Sequence, residues 1–391
     1  MRLLQIVPGT SLGGAERYAV TIAEAAVAEG WEVHTALSDT AEDHELARAF
    51  DGIGARPRAL ASEGSGLPAW EAATAIRRTI RLLGDVRPDV VHVVLPFPTF
   101  ARGALIACTM RRLPTVVVFQ LTPDQFDVGR SQSLYAALRA RQVWVAVSDS
   151  GRDAIIRSFG ASPREVGVIR NGVKPAAGEM ASAEERAAVR RDLRLPESAF
   201  LALSVGRLSR QKAHGDLIPA AAEAATRWPH VHFVIVGEGE EREALESLIG
   251  ARGLERTVRL VGQRQDVGQL LRAADLFVFP SHFEGFPFAL LEAAAHRLPL
   301  VSADFSGARE VIDDEAGLLY PPGDTVSLWR CLESAVEANP DELRAMGERA
   351  RNAAARFSRE AMVSATLRAL AGAAGRGRAR SRRPRSLRQH D

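Results

Sequence analysis

Cysteine is nearly absent from this 391-residue chain. Cys108 and Cys331 are the only two, far apart and without metal-ligand spacing, so neither a disulfide framework nor a zinc site is expected. Lysine is just as scarce, with Lys174 and Lys212 against 48 arginines. No apolar run approaches the ~18 residues of a membrane-spanning helix, and the start (MRLLQIVPGTS) lacks a cleavable leader pattern, so a cytoplasmic protein is expected. Hydrophobic residues at 46% and charged residues at 25% are ordinary for a globular chain, which excludes collagen-like and disordered classes.

Several signatures are missing too. No Gly-x-Gly-x-x-Gly follows a strand, and Gly237-Glu238-Gly239 runs into Glu240 and Glu241, which would repel a pyrophosphate. There is no Walker lysine loop, His-Glu-x-x-His or Asp-x-Asp. Nicotinamide and metal-dependent nucleotide chemistry are therefore disfavoured, and no metal site is expected.

What remains is an alternation of short β-branched runs with Ala-rich amphipathic stretches, the pattern of parallel sheets flanked by helices. Strands are expected at Leu3–Val7, Glu32–Leu37, Val90–Leu95, Thr115–Phe119, Val143–Val147 and Glu165–Ile169. A second set is Phe200–Val205, His232–Val236, Val258–Val261, Leu276–Phe279 and Leu300–Ser302. These sets predict a domain over 1–173, a linker over 174–198 and a second domain over 199–355. A helix at 356–371 is expected to pack back on the first domain. Residues 372–391 hold seven Arg and one Asp, interleaved with Gly, Ser and Pro, and read as a disordered tail. Formal net charge is +2, but the tail carries +6 and the rest −4. Such a tail suits an anionic membrane surface, and equally a solvated end without a partner; no nucleic-acid partner is expected.

The segment SHFEGFPFALLEAAA, Ser281–Ala295, concentrates chemistry. Glu284 and Glu292 flank Gly285-Phe286-Pro287, and Pro287 suits a helix start, followed by Phe288 and Ala289. A carboxylate on the first turns can hold a vicinal diol, and the helix amides face an anion. Carboxylates near a helix start ordinarily complement its dipole; the strand upstream and the Gly-Phe-Pro turn favour a site. After strand Phe200–Val205 come Arg207 and Lys212, a cation pair able to neutralise a diphosphate leaving group, or two ordinary surface charges. Gly13 and Gly14 open a helix after the first strand, where backbone can approach an anionic or sugar group.

In order, GGAE (Gly13–Glu16), PDVVHVV (Pro88–Val94), VAVSDSGRD (Val145–Asp153), VIRNGV (Val168–Val173), VGRLSRQK (Val205–Lys212), VGEGEERE (Val236–Glu243), FPSHFEGFPFALLEAAA (Phe279–Ala295) and SGAREVI (Ser306–Ile312) resemble the family 4 retaining glycosyltransferases. The resemblance implies an α/β GT-B fold, two doubly wound Rossmann-like domains facing a central cleft. It implies no cofactor, a nucleotide-diphosphate sugar as co-substrate in the second domain, and a glycan or lipid-linked acceptor in the first. Carried over, Arg207 and Lys212 hold the diphosphate, Glu292 the ribose and Glu284 the sugar. Gly237, Glu238, Gly262 and Arg264 surround the base, and Gly285 to Ala289 face the phosphates. The implied product is a cell-surface polysaccharide or glycolipid.

Three positions depart from the family's pattern. Gln120 stands where a histidine is common near the transferred sugar, Lys174 where an aspartate is, and Ala213 where a glycine is. Gln120 keeps open a non-catalytic, sugar-nucleotide-binding partner subunit as an alternative, with a nucleotide-sugar epimerase less favoured. His92, in an apolar strand, reads as a satisfied core histidine.

Overall fold

The computed structural model describes the chain except residues 10–12, 39–43, 61–68, 124–125, 127, 177–180, 313–315 and 382–391. The chain divides into unit 1, Met1–Arg170 together with the segment from Glu360 on, and unit 2, Asn171–Arg359.

Unit 1 contains β1 (Arg2–Val7), α1 (Gly14–Ala28), β2 (Glu32–Ser38), α2 (His44–Gly52), β3 (Arg56–Leu60), α3 (Ala69–Val86) and β4 (Val90–Leu95). It continues with α4 (Arg102–Met110), β5 (Thr115–Phe119), α5 (Gln132–Arg139), β6 (Val143–Ala146), α6 (Asp149–Phe159) and β7 (Val166–Val168). Unit 2 contains α7 (Ala183–Asp192), β8 (Phe200–Val205), α8 (Leu217–Arg227), β9 (Val231–Val236), α9 (Arg242–Ala251), β10 (Val258–Leu260), α10 (Val267–Ala273) and β11 (Leu276–Phe279). After these come α11 (Phe288–Ala295), β12 (Leu300–Ala303), α12 (Ser306–Arg309), β13 (Leu318–Tyr320), α13 (Thr325–Glu337) and α14 (Pro340–Ala354). The last helix, α15 (Arg359–Ser381), returns the chain to unit 1.

Both sheets are parallel, ordered β3-β2-β1-β4-β5-β6-β7 and β10-β9-β8-β11-β12-β13. Their central strands, such as VVHVVL in β4 and VHFVIV in β9, are buried along their whole length, as strands covered by helices on both faces must be. Each expected strand falls on an observed one. The two that the sequence hides, β3 and β13, are edge strands. In β3 (RPRAL) Arg56 and Arg58 are exposed, so charge and proline guard an open edge and erase the apolar pattern.

His92 is fully buried in β4. Its Nδ1 lies 3.2 Å from Gln5 Nε2, its ring meets Tyr18 edge-on, and burial pulls its pKa down to about 3. It is a core histidine, but only half satisfied, because Nε2 has no hydrogen-bond partner.

Two expectations need correction. The stretch 174–198, read as a linker, falls inside unit 2. Its helix α7 starts with a capping box at Ser182 and buries Arg190, whose guanidinium reaches Asp275 Oδ2 at 2.6 Å and the carbonyls of Ala199 and Ala273. A buried counterion thus anchors what composition alone made look like a solvated helix. The tail read as disordered from 372 is helix through Ser381. Met362, Thr366, Leu370, Ala373 and Ala374 form a buried stripe along α15, and Gly377 approaches Pro114 so closely that an added Cβ would lie 2.4 Å from its Cγ. Small residues that looked like a flexible end are a packing face. Tyr18 Oη lies 3.1 Å from Thr366 Oγ1, in the same unit. Residues 382–391, with Arg382, Arg383, Arg385 and Arg388, lie outside the described residues.

The chain passes between units twice, beside one short pairing. Val173 N–H donates to Phe357 O at 3.1 Å and Arg359 N–H to Val173 O at 3.0 Å, and Gly172 lies so near Ser358 that a Cβ would meet its carbonyl oxygen at 2.2 Å. The expected breaks after Pro322 are both present. Asn339 caps α14 by accepting from the amides of Asp341 and Glu342, with Pro340 in the first turn. The break at Phe357-Ser358 lies between α14 and α15, just before the second crossing.

Candidate active site

In unit 2 the strand order reverses between β8 and β11, and ligands of open α/β sheets bind outside the carboxyl ends of the strands at such a point. The loops leaving these strands carry the residues singled out in sequence. They are joined by backbone and amide bonds: His282 N–H donates to Gln211 O, and Gln211 Nε2 to Phe283 O, both at 2.9 Å. His282 Nε2 lies 2.7 Å from Asp216 Oδ2 on the far side.

This latch brings Lys212 to Glu284. The ammonium lies 2.5 Å from Glu284 Oε1 and 5.2 Å from the centroid of the Phe279 ring, with the two side chains 20% and 12% exposed. Partial burial makes this pair stronger than the usual surface bridge. The lysine stem runs past Gly206, where a Cβ would stand 3.2 Å from Lys212 Cδ. Arg207, two residues past β8, is exposed and forms no ion pair among the described residues. Ala213 takes the left-handed conformation, φ 50°, which accounts for glycine being the commoner residue there. Behind the lysine, His214 is buried and its pKa falls to about 3, from burial first and then the Lys212 charge.

The turn after Glu284 is packed from beneath. A Cβ on Gly307 would meet Gly285 O at 2.5 Å, Asn171 Nδ2 donates to Phe286 O at 2.9 Å, and buried Phe286 meets Phe357 edge-on. Pro287 begins α11 with no side-chain cap, so the amides of Phe288 and Ala289 meet no capping group at a positive helix end. Glu292, half-buried, lies one turn on along the same strip as Phe288 and Ala289.

The Gly237-Glu238-Gly239 loop leans on the Arg207 loop. A Cβ on Gly237 (φ 144°) would fall 2.0 Å from Gly206 O, and one on Gly239 (φ 159°) 2.3 Å from Leu208 O. Gly237→Ala is therefore expected to lose about 2–4 kcal/mol of stability in urea titration, from overlap together with strain. Gly253→Ala, also at positive φ (63°) but in open space, should lose only about 1–2 kcal/mol. Gly262 O accepts from Gly237 N–H at 2.9 Å. Two side chains expected near the base are already committed: Glu238 to Arg242 at 2.8 Å, and Arg264 to both Asp266 and Asp192 at 2.7 Å. These carboxylates push the Arg264 pKa up, and Arg264 holds Asp266 below its usual value. What they leave to a base is backbone.

In unit 1 the Gly13-Gly14 loop closes on Glu16. Gly13 precedes the first turn of α1, but its N–H donates to Glu16 Oε2 at 3.0 Å, and a Cβ on Gly9 would coincide with Glu16 Oε1, 1.7 Å away. The glycines wrap a carboxylate of their own chain, 5% exposed, and an anion there would face Glu16. Gln120 is buried just past β5, its N–H bonded to Leu95 O at 2.9 Å.

Sequence reasoning missed Asn171, Gln211 and Asp216 as positioning residues. Asn171 stands inside the quoted VIRNGV segment and Gln211 inside VGRLSRQK, the only available signals; Asp216 shows nothing until the loops meet. Among the described residues no group of three or more His, Cys, Asp or Glu is placed to hold a metal.

Residues 12–177 match Glycosyltransferase Family 4 and residues 185–353 match Glycosyl transferases group 1. The chain is 30% identical to a glycogen synthase of Mycobacterium tuberculosis over 70% of its own length and 68% of the relative's. The chain belongs to the family 4 glycosyltransferases. It is also 33% identical to a D-inositol 3-phosphate glycosyltransferase of Kineococcus radiotolerans, over 61% of this chain and 58% of that protein, so it spans under two thirds of that relative. In fold, this family 4 chain is similar to Anabaena HepE, solved in complex with UDP and glucose. The TM-score is 0.78 at 21% identity, covering 95% of this chain and 99% of that one. Its two parallel-sheet Rossmann-like units are those of the GT-B fold.

Proposed function

We propose that this chain transfers a hexose or N-acetylhexosamine from a nucleotide-diphosphate sugar to a hydroxyl of a glycan or lipid-linked glycan, with retention and without a metal. The observation that carries it is the half-buried Lys212–Glu284 pair at the switch point of unit 2, beside the uncapped start of α11 with Glu292 on its open strip. Lys212, Arg207 and the α11 amides oppose the charge that develops on the diphosphate as the sugar–phosphate bond breaks. The acceptor oxygen bonds to the same face of the sugar, and its proton passes to the departing phosphate oxygen. No protein nucleophile is required, so the rate rests on positioning and electrostatics. Glu284, already holding Lys212, is placed to receive a sugar hydroxyl.

A thermal-shift screen against UDP, GDP, ADP and their sugars tests this reading, since stabilisation follows affinity by mass action. One nucleotide series should stabilise the protein; no response to any would overturn the assignment. With that nucleotide, Glu292→Ala is expected to weaken donor affinity about 10–100-fold, the value of charged hydrogen bonds to a diol. Wild-type affinity by titration calorimetry would remove Glu292 from the site. Gln120 favours the second reading, a binding subunit without turnover, because an amide takes up no proton near neutral pH. Donor hydrolysis by the wild type and by Gln120→His separates the two.

A further inference from the structure

At the opposite end of α11 from the donor loops, unit 2 has a half-open cavity of about 230 Å³. It is lined by Lys174, Arg272, His296, Arg297 and Arg351 over an apolar floor that includes Phe357. Among the described residues no carboxylate lines it. Two lie behind the arginines: Glu348 takes Arg297 Nε at 3.0 Å and Arg351 Nε at 3.4 Å, and Glu185 takes Arg272 at 3.2 Å. Lys174 is exposed and forms no ion pair among the described residues. Among the described residues, four cations therefore border one cavity with two carboxylates to balance them. One of the four is the second of the chain's two lysines, the other being Lys212.

The gathering is built by backbone. Arg297 adopts a left-handed conformation, φ 60°, directly after α11 and His296, and α14 sits on it at Gly347, where a Cβ would lie 2.0 Å from Arg297 O. That close approach carries Arg351, one turn later on α14, to the same cavity. His296 donates from Nδ1 to Glu292 O at 2.7 Å, which leaves Nε2 as a neutral acceptor. The other wall is Val173–Ala176 and Ala354–Ser358, the two segments that flank the crossings between units.

We infer that this cavity binds a small phosphate monoester of monosaccharide size. Converging guanidinium groups and an ammonium match a phosphate's oxygens. The apolar floor and the His296 acceptor receive a compact hydroxylated body. The volume lies below the ~300–1,000 Å³ typical of drug-sized ligands, too small for a nucleotide sugar. A soluble source is favoured over a lipid headgroup. The exposed large hydrophobic side chains among the described residues, Met110 and Val326, do not line the cavity and give a bilayer nothing to hold beside it.

Glucose 6-phosphate is the probe, titrated by calorimetry into the full chain. Binding is expected in the wild type and in Lys212→Ala with less than a twofold difference. It is expected to weaken at least tenfold in Lys174→Ala/Arg351→Ala and further in Lys174→Glu. No binding by the wild type, wild-type affinity in the double variant, or loss in Lys212→Ala would each overturn the site; the last would place the phosphate at the donor loops. Co-sedimentation with phosphatidylcholine–phosphatidic acid vesicles that depends on Lys174 and Arg351 would overturn the soluble source. The readouts involve neither nucleotide nor turnover, so failure of the donor assignment leaves them interpretable.

Discussion

Lys212→Ala is expected to lower donor turnover about 10²–10³-fold, the effect of removing one preorganised donor from a developing anion. Stability should fall by about 1–3 kcal/mol, because Glu284, 12% exposed, is left without the Lys212 ammonium. The structure offers a second explanation for such a loss, namely that Lys212 serves only to neutralise Glu284. The double variant Lys212→Ala/Glu284→Ala decides between them. If neutralisation were the whole role, deleting the carboxylate as well would restore turnover; if the ammonium faces the diphosphate, the double variant stays inactive. Lys212→Arg is expected to recover only part of the rate, since a planar fork does not reproduce a compact charge threaded past Gly206. Turnover of Lys212→Ala at the wild-type level would end the diphosphate assignment.

Asp275→Ala is the largest expected loss of stability, about 3 kcal/mol or more. Asp275 receives Arg190 at 2.6 Å, Arg186, and the Leu201 amide at 2.8 Å at the start of the central strand β8. Arg190 is 3% exposed at the side chain, and burial already pulls its pKa down against the upward pull of Asp275. Without the carboxylate a buried guanidinium keeps only carbonyl acceptors among the described residues, those of Ala199, Ala273 and Arg186. A two-unit protein need not unfold in one step, so hydrogen exchange of peptides covering Ala183–Leu201 is the suitable measurement. Protection there should collapse while peptides of β4 and β5 hold. A loss below about 1 kcal/mol would mean that Arg190 relaxes toward water. Asp275→Asn, which retains an acceptor for Leu201, should fall between.

The fold was legible because buried parallel strands are apolar from end to end and helices between them are amphipathic. The signal failed where the physics differs. β3 is an edge strand whose exposed arginines and proline break the apolar run, and α7 is a helix whose one buried residue is an arginine. The end of α15 reads as low complexity because Ala and Gly are what a close helix contact requires. In the site, Glu284, Glu292, Arg207 and Lys212 stand out by spacing from strand ends. The Lys212–Glu284 contact does not, since it exists only through Gln211 bonding to Phe283 and His282. The Gly13-Gly14 loop carries a related ambiguity. Glycines that make room for a ligand and glycines that make room for Glu16 look alike until the side chain is placed.

Because unit 1 is completed by α15, the two units differ in how they can be made. Unit 2 is one uninterrupted stretch, whereas the Tyr18–Thr366 bond joins residues separated by the whole of it. At ~5–20 residues per second on the ribosome, the roughly 190 intervening residues emerge over about 10–40 s. For that interval the face of unit 1 that α15 will cover has no helix on it. Unit 2 is free to reach its final packing before unit 1 receives its last helix.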